Sequence, residues 1–424
     1  MSSTVSASAS PAQHEEEFHD DIIHPSPIPF VLAHLACLGA IWSGVTVEAA
    51  VLCLSLYVAR MFGVTAGFHR YFSHRSFKTS RVGQFLFAFL AQTSAQRGVL
   101  WWAAKHRHHH KHSDTELDVH SPRHRGFFYS HVGWIFTAEH EETDYDAIPD
   151  LTKYPELVWL NKHPYLPAAM LAVACFLIAG WPGLFVGFFW STTLLYHGTF
   201  FINSLAHVHG NQRYVTGDDS RNNWWLAVIT MGEGWHNNHH AYQRSTRQGF
   251  RWYEFDPTFY ILKAMSWVRF VWDLGEPPAD VVRNERRLGR AVVEKVAHHL
   301  AATFPTDQIA AKLRDAIERS PALRDMREKV AAGQARAEEL LAQLPSIAES
   351  QARAGEMIAT GQARAGELLA TVHLPHVPSI AEIRSRAEEM YAQSPSTDEI
   401  VARARELILH AVQRELLPPA PSPA

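Results

Sequence analysis

Long uncharged blocks alternate with polar segments along the chain. Residues 22–47 contain no Asp, Glu, Lys or Arg, Ala49–Phe68 is interrupted only by Arg60, and the 44 residues from His163 to Ala206 contain none. Because a membrane-spanning helix needs roughly 20 apolar residues, the last block is long enough for two crossings, with Trp181-Pro182-Gly183 as the turn. The pattern predicts four spans, at 28–46, 48–68, 164–180 and 183–205.

A fifth segment, Val82–Ala104, is apolar at its start but carries Arg97. We expect it to lie partly embedded or at the membrane surface rather than to cross. Arg60 inside the second span must snorkel or point into the protein, because a charge facing lipid is costly.

The distribution of cations predicts the orientation of the spans. The long loop from His69 to Lys162 carries twelve Lys and Arg, whereas the short connections carry none. Cations concentrate on the cytoplasmic side, so we expect that loop and the C-terminal half of the chain to be cytoplasmic. The prediction is a multi-pass integral membrane protein, in the inner membrane if the chain is bacterial.

Both ends of the chain differ from this apolar region. Residues 1–27 contain no Lys or Arg and read as a disordered leader. Residues 278–424 are rich in Ala, Glu, Arg and Leu, and the Gln-Ala-Arg-Ala motif at Gln334 recurs at Gln351 and Gln362. Such a sequence favours helix. The tail either pairs with itself or a partner, or is a solvated, partly disordered helical segment. Residues 28–277 form the domain between these ends.

Composition narrows the chemistry. The net charge of −4 gives no basic field for nucleic acid, and the three cysteines lack CxxC spacing, which argues against disulfides and thiolate metal sites. The 27 histidines nearly equal the 39 Lys and Arg in number. Because imidazole is the commonest metal ligand, metal binding is the first hypothesis.

Nine histidines fall into four boxes that flank the predicted spans. In two boxes the HxxHH spacing places three imidazoles on one helical face, at i, i+3 and i+4. If the topology is right, all four boxes lie on one side of the membrane. The candidate ligands are His69, His74, His106, His109, His110, His207, His236, His239 and His240.

Nine imidazoles are too many for one metal ion, so they predict two. Ligation by nitrogen alone with vacant positions suits iron and oxygen chemistry, although imidazole also accepts zinc, copper or nickel. Asn203 precedes His207 by one helical turn and could hold a water on a metal ion that lacks a ligand. Glu233 either belongs to a tight turn or bonds a ligating imidazole. The remaining histidines stay unassigned, among them His108, His112, His120, His124, His131, His197 and His209.

The boxes and their surroundings resemble the membrane fatty-acid desaturases of the stearoyl-CoA desaturase type. The similar motifs span roughly residues 28–275 and are Gly63-Val-Thr-Ala-Gly-Phe-His-Arg-Tyr-Phe-Ser-His74, His106-Arg-His-His-His-Lys111, Arg125-Gly-Phe-Phe-Tyr-Ser-His-Val-Gly-Trp134, Asn203-Ser-Leu-Ala-His207 and Gly232-Glu-Gly-Trp-His-Asn-Asn-His-His240. The resemblance implies an all-α membrane protein with four transmembrane helices and a cytoplasmic helical cap that holds a di-iron site. It also implies O2-dependent insertion of a cis double bond, most often Δ9, into a saturated acyl chain.

The resemblance assigns the nine histidines as iron ligands and Asn203 as the residue that holds a water. Trp102 and Trp134 are expected to contact the acyl chain, together with Trp101, Phe200 and Phe201, although each could instead face lipid. Arg125 is the candidate contact for the head group.

The sequence departs from the animal acyl-CoA enzymes at the expected head-group contacts. Ala104-Lys105 stands where they typically have Arg-Asp, and His124-Arg125 replaces a pair of strong cations. Acyl-CoA, acyl-lipid and acyl-carrier-protein substrates therefore remain open. No His-Pro-Gly-Gly haem motif is present, so electrons are expected from a separate donor of the ferredoxin, rubredoxin or cytochrome b5 type.

Three alternatives remain open from the sequence. A related membrane di-iron hydroxylase would share the histidine boxes but leave an alcohol. A histidine-rich metal transporter would place its ligands within the spans rather than beside them. The repetitive tail could also make the chain chiefly a membrane scaffold.

Overall fold

The computed structural model describes residues 27–137, 141–319 and 377–416, and within them the chain is mostly helical. It divides into two compact units: the first comprises residues up to Gly210 together with Arg221–Glu276, and the second comprises Asn211–Ser220 together with the chain from Pro277 onward. The predicted leader and the repeats at Gln334, Gln351 and Gln362 lie outside the described residues.

Two helices of the first unit are long and apolar enough to cross a membrane. They are Val47–Ser73 and Leu166–His207, of 27 and 42 residues, whereas the apolar stretch Ile28–Ser43 is shorter. The sequence pattern predicts four spans, because it counts the stretch 28–46 as one span and divides the 42-residue segment in two. Within that segment two helices meet at a break, where Ala179 has a non-helical φ of −136° and Gly180 adopts a φ of +59° that glycine tolerates.

These helices are built from shorter regular elements. The first long helix is α3 (Val47–Phe62) continued by a π-helix, Gly63–Ser73. The second consists of α9 (Leu166–Pro182), a π-helix (Gly183–Trp190), α10 (Ser191–Asn203) and a 3-10 turn (Leu205–His207). Ile28–Ser43 consists of α1 (Ile28–Ala36) and α2 (Gly39–Ser43).

Apolar side chains cover the outside of the long helices. Leu54 of α3 is 67% exposed and Leu177 of α9 is 77% exposed. Arg60 instead is buried, and its guanidinium donates to Thr192 Oγ1, to Ser191 Oγ and to the backbone carbonyls of Leu56 and Thr93. Of the two orientations that the sequence left open, snorkelling or pointing into the protein, the structure shows the inward one, and hydroxyl and carbonyl oxygens solvate the cation.

The segment predicted to lie along the membrane is two helices rather than one. It forms α4 (Arg81–Gln92) and α5 (Val99–His112), and most of the apolar half of α5 is buried, including Leu100 and Ala104. The intervening residues Ala95 and Arg97 have positive φ, so the chain turns there and directs α5 into the core. The sequence predicts a partly embedded or a surface position for this segment, and the structure shows that the apolar half of α5 is buried within the protein.

Short elements complete the first unit. A two-stranded antiparallel sheet pairs β1 (Lys78–Thr79) with β2 (Val271–Trp272). The remaining helices are α6 (Pro122–His131), the 3-10 turn Gly133–Phe136, α7 (Pro149–Thr152), α8 (Pro155–Lys162), α11 (Trp224–Ile229), α12 (His236–Ala241) and α13 (Pro257–Trp267).

The described part of the second unit is helical and has its own apolar core. Val296, Leu300, Ile400 and Ile408 are among the buried residues, so the described helices of this unit pack together. The helices are α14 (Ala279–Val282), α15 (Arg290–Ala302), α16 (Thr306–Arg319), α17 (Ile380–Met390) and α18 (Thr397–Leu416).

Candidate metal centre

Four elements of the first unit bring the nine predicted histidines together. The π-helix after α3 carries His69, and His74 lies at its end. Helix α5 carries the second box, the 3-10 turn after α10 ends at His207, and α12 carries the last box. The structure sorts all nine into two groups whose candidate ligand atoms lie within 4.8 Å of one another.

The first group contains five imidazoles: His69, His74, His106, His110 and His239. Their Nε2 atoms face one another at 2.9–3.0 Å, in the order 69–239–110–106–74. The edge of an octahedron with metal–nitrogen bonds of about 2.1 Å is about 3.0 Å long, whereas a tetrahedral edge is about 3.4 Å. The spacing of these nitrogens therefore fits a metal ion with more than four ligands.

The second group contains His109, His207, His236 and His240, all buried. The Nε2 atoms of His207 and His236 lie 3.0 Å apart. Four imidazoles make a smaller donor set than five, so an ion here would need a further ligand to reach the same coordination number.

Buried carboxylates orient one histidine of the first group and two of the second. Glu233 Oε2 lies 2.5 Å from His69 Nδ1, which is one of the two roles that the sequence left open for Glu233. Asp118 Oδ1 lies 3.0 Å from His109 Nδ1, and Asp114 Oδ2 lies 2.7 Å from His207 Nδ1. Such carboxylates hold Nδ1 as the donor and leave Nε2 as the lone pair for a metal.

Sequence reasoning missed both Asp114 and Asp118. Asp114 and His207 are 93 residues apart, and no local spacing marks such a pair. Asp118 follows His109 by nine residues in an irregular turn. The available signal was the acidic character of residues 114–118 directly after a histidine box.

Arg70 and Asp256 support Glu233 from behind. The Arg70 guanidinium donates to Glu233 Oε1 at 3.0 Å and to Asp256 Oδ2 at 3.0 Å, and all three residues are buried. Burial alone would raise the pKa of Glu233, but His69 and Arg70 lower it below its usual range. The carboxylate is therefore ionised and available to His69.

Four histidines of the first group are held in the neutral form, as metal ligands must be. Burial, reinforced by the neighbouring imidazoles, holds the pKa of His74, His106, His110 and His239 well below the ordinary value. At Asp118, burial would raise the pKa, but His109 and His120 lower it well below its usual range.

The donor set fits a metal better than it fits hydrogen bonds alone. A neutral imidazole has one N–H and one lone pair. His106 Nε2 faces both His74 and His110, and His239 Nε2 faces both His69 and His110. One ring nitrogen cannot make two good hydrogen bonds of this kind, whereas a central cation would engage all five lone pairs.

A cavity lined largely by aromatic residues reaches the first group at His106. Of the predicted substrate contacts, Trp102 and Trp134 line it, as do Trp101 and Phe200. Asn203, the last residue of α10, also lines the cavity, and its backbone carbonyl accepts a hydrogen bond from Ser130 Oγ.

Two predicted contacts lie elsewhere. Arg125 is outside the residues that line this cavity, and its guanidinium donates to Tyr129 Oη at 2.6 Å. Phe201 packs against the His131 ring instead, with ring centroids 4.5 Å apart. The described cations that line the cavity are Arg97 and Lys105. The sequence alone predicts for Arg97 only that its charge disfavours a membrane crossing.

Comparison with known proteins agrees with this architecture. A family model described as fatty acid desaturase matches residues 46–267. The acyl-CoA 5-desaturase AL21 of Anemone leveillei is 36% identical over 270 residues, covering 62% of this chain and 82% of that protein. The sn-2 palmitoyl-lipid 9-desaturase of Nostoc sp. (strain 36) is 36% identical over 209 residues, covering 48% and 73%.

The sn-1 stearoyl-lipid 9-desaturase of Synechocystis is 37% identical over 227 residues, covering 53% of this chain and 70% of that protein. The names of these relatives differ in the position of the double bond and in the carrier of the acyl chain, so they agree on the reaction and the lipid substrate class. Together with the long apolar helices they indicate a membrane protein. The chain belongs to the fatty acid desaturase family and is an oxidoreductase that desaturates fatty acyl chains.

Proposed function

We propose that the protein introduces a cis Δ9 double bond into a saturated long-chain acyl group, carried by CoA or by a membrane lipid, for unsaturated fatty acid biosynthesis. The proposal rests on His106, which connects the metal centre with the cavity. It belongs to the first histidine group and also lines the aromatic cavity. An acyl chain in that cavity would therefore pass directly beside a metal ion.

Two iron ions are the proposed cofactor. His69, His74, His106, His110 and His239 would hold one ion, and His109, His207, His236 and His240 the other. Asn203 would complete the second set through a water molecule. Iron at these sites supplies the O2-dependent oxidation of an unactivated C–H bond, which no side chain can perform.

The residues of the chain bind and orient the acyl group and exclude water from it. The aromatic walls of the cavity accept an apolar chain and exclude water. Gln96 Nε2 donates to Thr199 Oγ1 at 3.1 Å, and both residues line the cavity. The carboxylates of Glu233, Asp114 and Asp118 fix the ligating rings.

The balanced reaction consumes O2, two electrons and two protons. Two adjacent methylenes of the acyl chain lose one hydrogen each, and two water molecules leave. The electrons come from a separate protein donor of the ferredoxin, rubredoxin or cytochrome b5 type.

We further propose four membrane crossings with the histidine boxes on the cytoplasmic side. The break at Gly180 supports a division of the 42-residue helix into two crossings. The twelve cations between His69 and Lys162 support the orientation. Reaction of cysteines placed singly at 181 and at 124 with a membrane-impermeant reagent, in intact cells and in broken cells, tests this topology. Position 181 should react in both and position 124 only in broken cells.

The first experiment is expression in a host that cannot make unsaturated fatty acids, followed by location of double bonds in its lipids and its acyl-CoA pool. A cis-Δ9 chain is expected, and the pool in which it first accumulates identifies the carrier. A double bond elsewhere overturns the Δ9 position but not the reaction. A hydroxylated chain overturns desaturation in favour of the hydroxylase.

A further inference from the structure

Three histidines outside both metal groups form a continuous chain of polar contacts. His34 Nε2 on α1 lies 3.1 Å from His197 Nε2 on α10. His197 Nδ1 lies 3.0 Å from Nε2 of His131, the last residue of α6, and His131 Nδ1 lies 3.1 Å from Ser204 Oγ. At the other end, His34 Nδ1 donates to the backbone carbonyl of Phe30 at 2.8 Å.

The arrangement of nitrogens separates this chain from a metal site. The His197 ring directs its two nitrogens at two different partners, and His131 does the same. The nitrogens therefore follow a line. In the two metal groups the ligand atoms instead converge within 4.8 Å.

If the three imidazoles are neutral, each of their ring nitrogens has one fixed role, as donor or as acceptor. The Phe30 carbonyl can only accept, so His34 carries its proton on Nδ1 and presents a lone pair at Nε2. His197 must then donate from Nε2 and accept at Nδ1, and His131 must do the same. Ser204 completes the chain by donating its hydroxyl hydrogen to His131, although the Phe200 carbonyl at 2.9 Å is a second acceptor for it.

The electrostatics of His131 agree with a neutral chain. Burial lowers the pKa of His131 below the ordinary value, and the ring is 8% exposed. With neutral rings, each contact in the chain has one donor and one acceptor. The chain thus joins α1, α10 and α6 through directional bonds.

These three elements supply walls of the substrate cavity. Helix α1 contributes Phe30, α10 contributes Tyr196 and Phe200, and the turn after α6 contributes Trp134. The Phe30 ring lies 5.6 Å from that of Tyr196 and 6.1 Å from that of Phe200. The histidine chain thus joins the helices on which these wall aromatics sit.

We propose that His34, His197 and His131 are positioning residues that fix α1 as a wall of the acyl cavity and so determine which pair of methylenes lies beside His106. The inference rests on the proposed desaturation at this cavity. Methylenes along a saturated chain are chemically alike, so the position of the chain in the cavity selects the bond that reacts. A wall that can move admits neighbouring registers.

The test is His197→Leu in the full-length protein. This substitution removes both central contacts and replaces the imidazole with an apolar side chain of similar size. We expect double bonds at neighbouring positions to reach about 10% of the product and the KM for the acyl substrate to rise about 5-fold. Bound iron should stay at the wild-type level. His298→Leu is the matched control, because His298 is 63% exposed on α15 and should change none of these quantities.

Hydrogen exchange of the purified protein gives a readout that does not depend on activity. Amides of residues 28–36 should exchange about 10-fold faster in His197→Leu, because α1 loses its link to α10. If His197→Leu does not accumulate, His34→Leu breaks the same link between α1 and α10, retains His197 and His131, and should show the same broadening and faster exchange.

An unchanged product position together with unchanged exchange in these variants overturns the inference. If the wild type makes no double bond, the proposed function fails. The exchange of α1 still decides whether the chain holds this helix.

Discussion

The two compact units of the protein distribute apolar and polar residues in opposite ways. In the first, apolar side chains such as Leu54 and Leu177 are on the outside, while Arg70 and Asp256 are buried. In the second, Leu300 and Ile408 are buried, and the ion pair of Arg403 with Glu294 lies at the surface. The second unit follows the pattern of a water-soluble helical domain, and the first follows that of a membrane protein with a polar site inside.

The comparison teaches where the stability of each unit comes from. Burial of apolar surface is the main favourable term for the helices of the second unit. In the first unit, buried ionised and imidazole groups are costly unless each has a partner. Carboxylates, Arg70 and the proposed metal ions supply those partners. Changes in the polar interior of the first unit should therefore have the largest effects on function.

The largest expected effect is that of His239→Ala. His239 Nε2 contacts both His69 and His110, so its loss removes the nitrogen that joins the two halves of the first group. We expect desaturation to fall by more than about 100-fold, and bound iron to fall with it, as measured by product analysis and metal analysis. His108→Ala, in the second histidine box, is the control, because the His108 imidazole bonds the backbone carbonyl of Leu117 and belongs to neither metal group. Full activity with full iron in His239→Ala would remove His239 from the ligands.

The second largest effect is expected at the carboxylate of Asp114. Asp114→Asn leaves the shape of the side chain but weakens the bond that orients His207, and such changes cost about 10–100-fold in metal affinity or activity. Iron should be lost from one site before the other during dialysis against a chelator. Glu233→Gln perturbs the first group in the same way, so the pair of variants distinguishes the two sites by their order of iron loss. Equal loss from both sites in each variant would contradict two separately held ions.

Much of this site is visible in the sequence because its geometry is local. Each HxxHH box places three imidazoles on one helical face. The structure divides each box between the two metal groups, so that α5 and α12 both contribute to each group. The carboxylates are not visible, because His207 and Asp114 are 93 residues apart and only tertiary packing pairs them. The same limit explains α5: its apolar half lies against the core, and hydrophobicity alone cannot distinguish burial in protein from burial in lipid.

A smaller effect is expected at the predicted head-group cation. Arg125 bonds Tyr129 and lies outside the residues that line the cavity, so Arg125→Ala should change the KM for the acyl substrate by less than about 2-fold. Lys105→Ala is the informative partner, because Lys105 lines the cavity and removal of its charge should raise KM by about 5-fold if the head group is anionic. A larger effect at Arg125 than at Lys105 would place the head group beside Arg125 rather than in this cavity.

The smallest effect on activity is expected from the core of the second unit. Ile408 is 1% exposed in α18, and Ile408→Ala leaves a cavity that should destabilise this unit by about 2–5 kcal/mol. Thermal unfolding of the full chain should then show an earlier transition, while the rate of desaturation below that transition stays within about 2-fold of wild type. This outcome follows because the histidines of both metal groups belong to the first unit. A loss of iron or of double-bond formation at temperatures where the second unit of the variant is still folded would show that the helices of this unit contribute to the site. The two units, with their opposite arrangements of apolar and polar residues, would then serve one function rather than two.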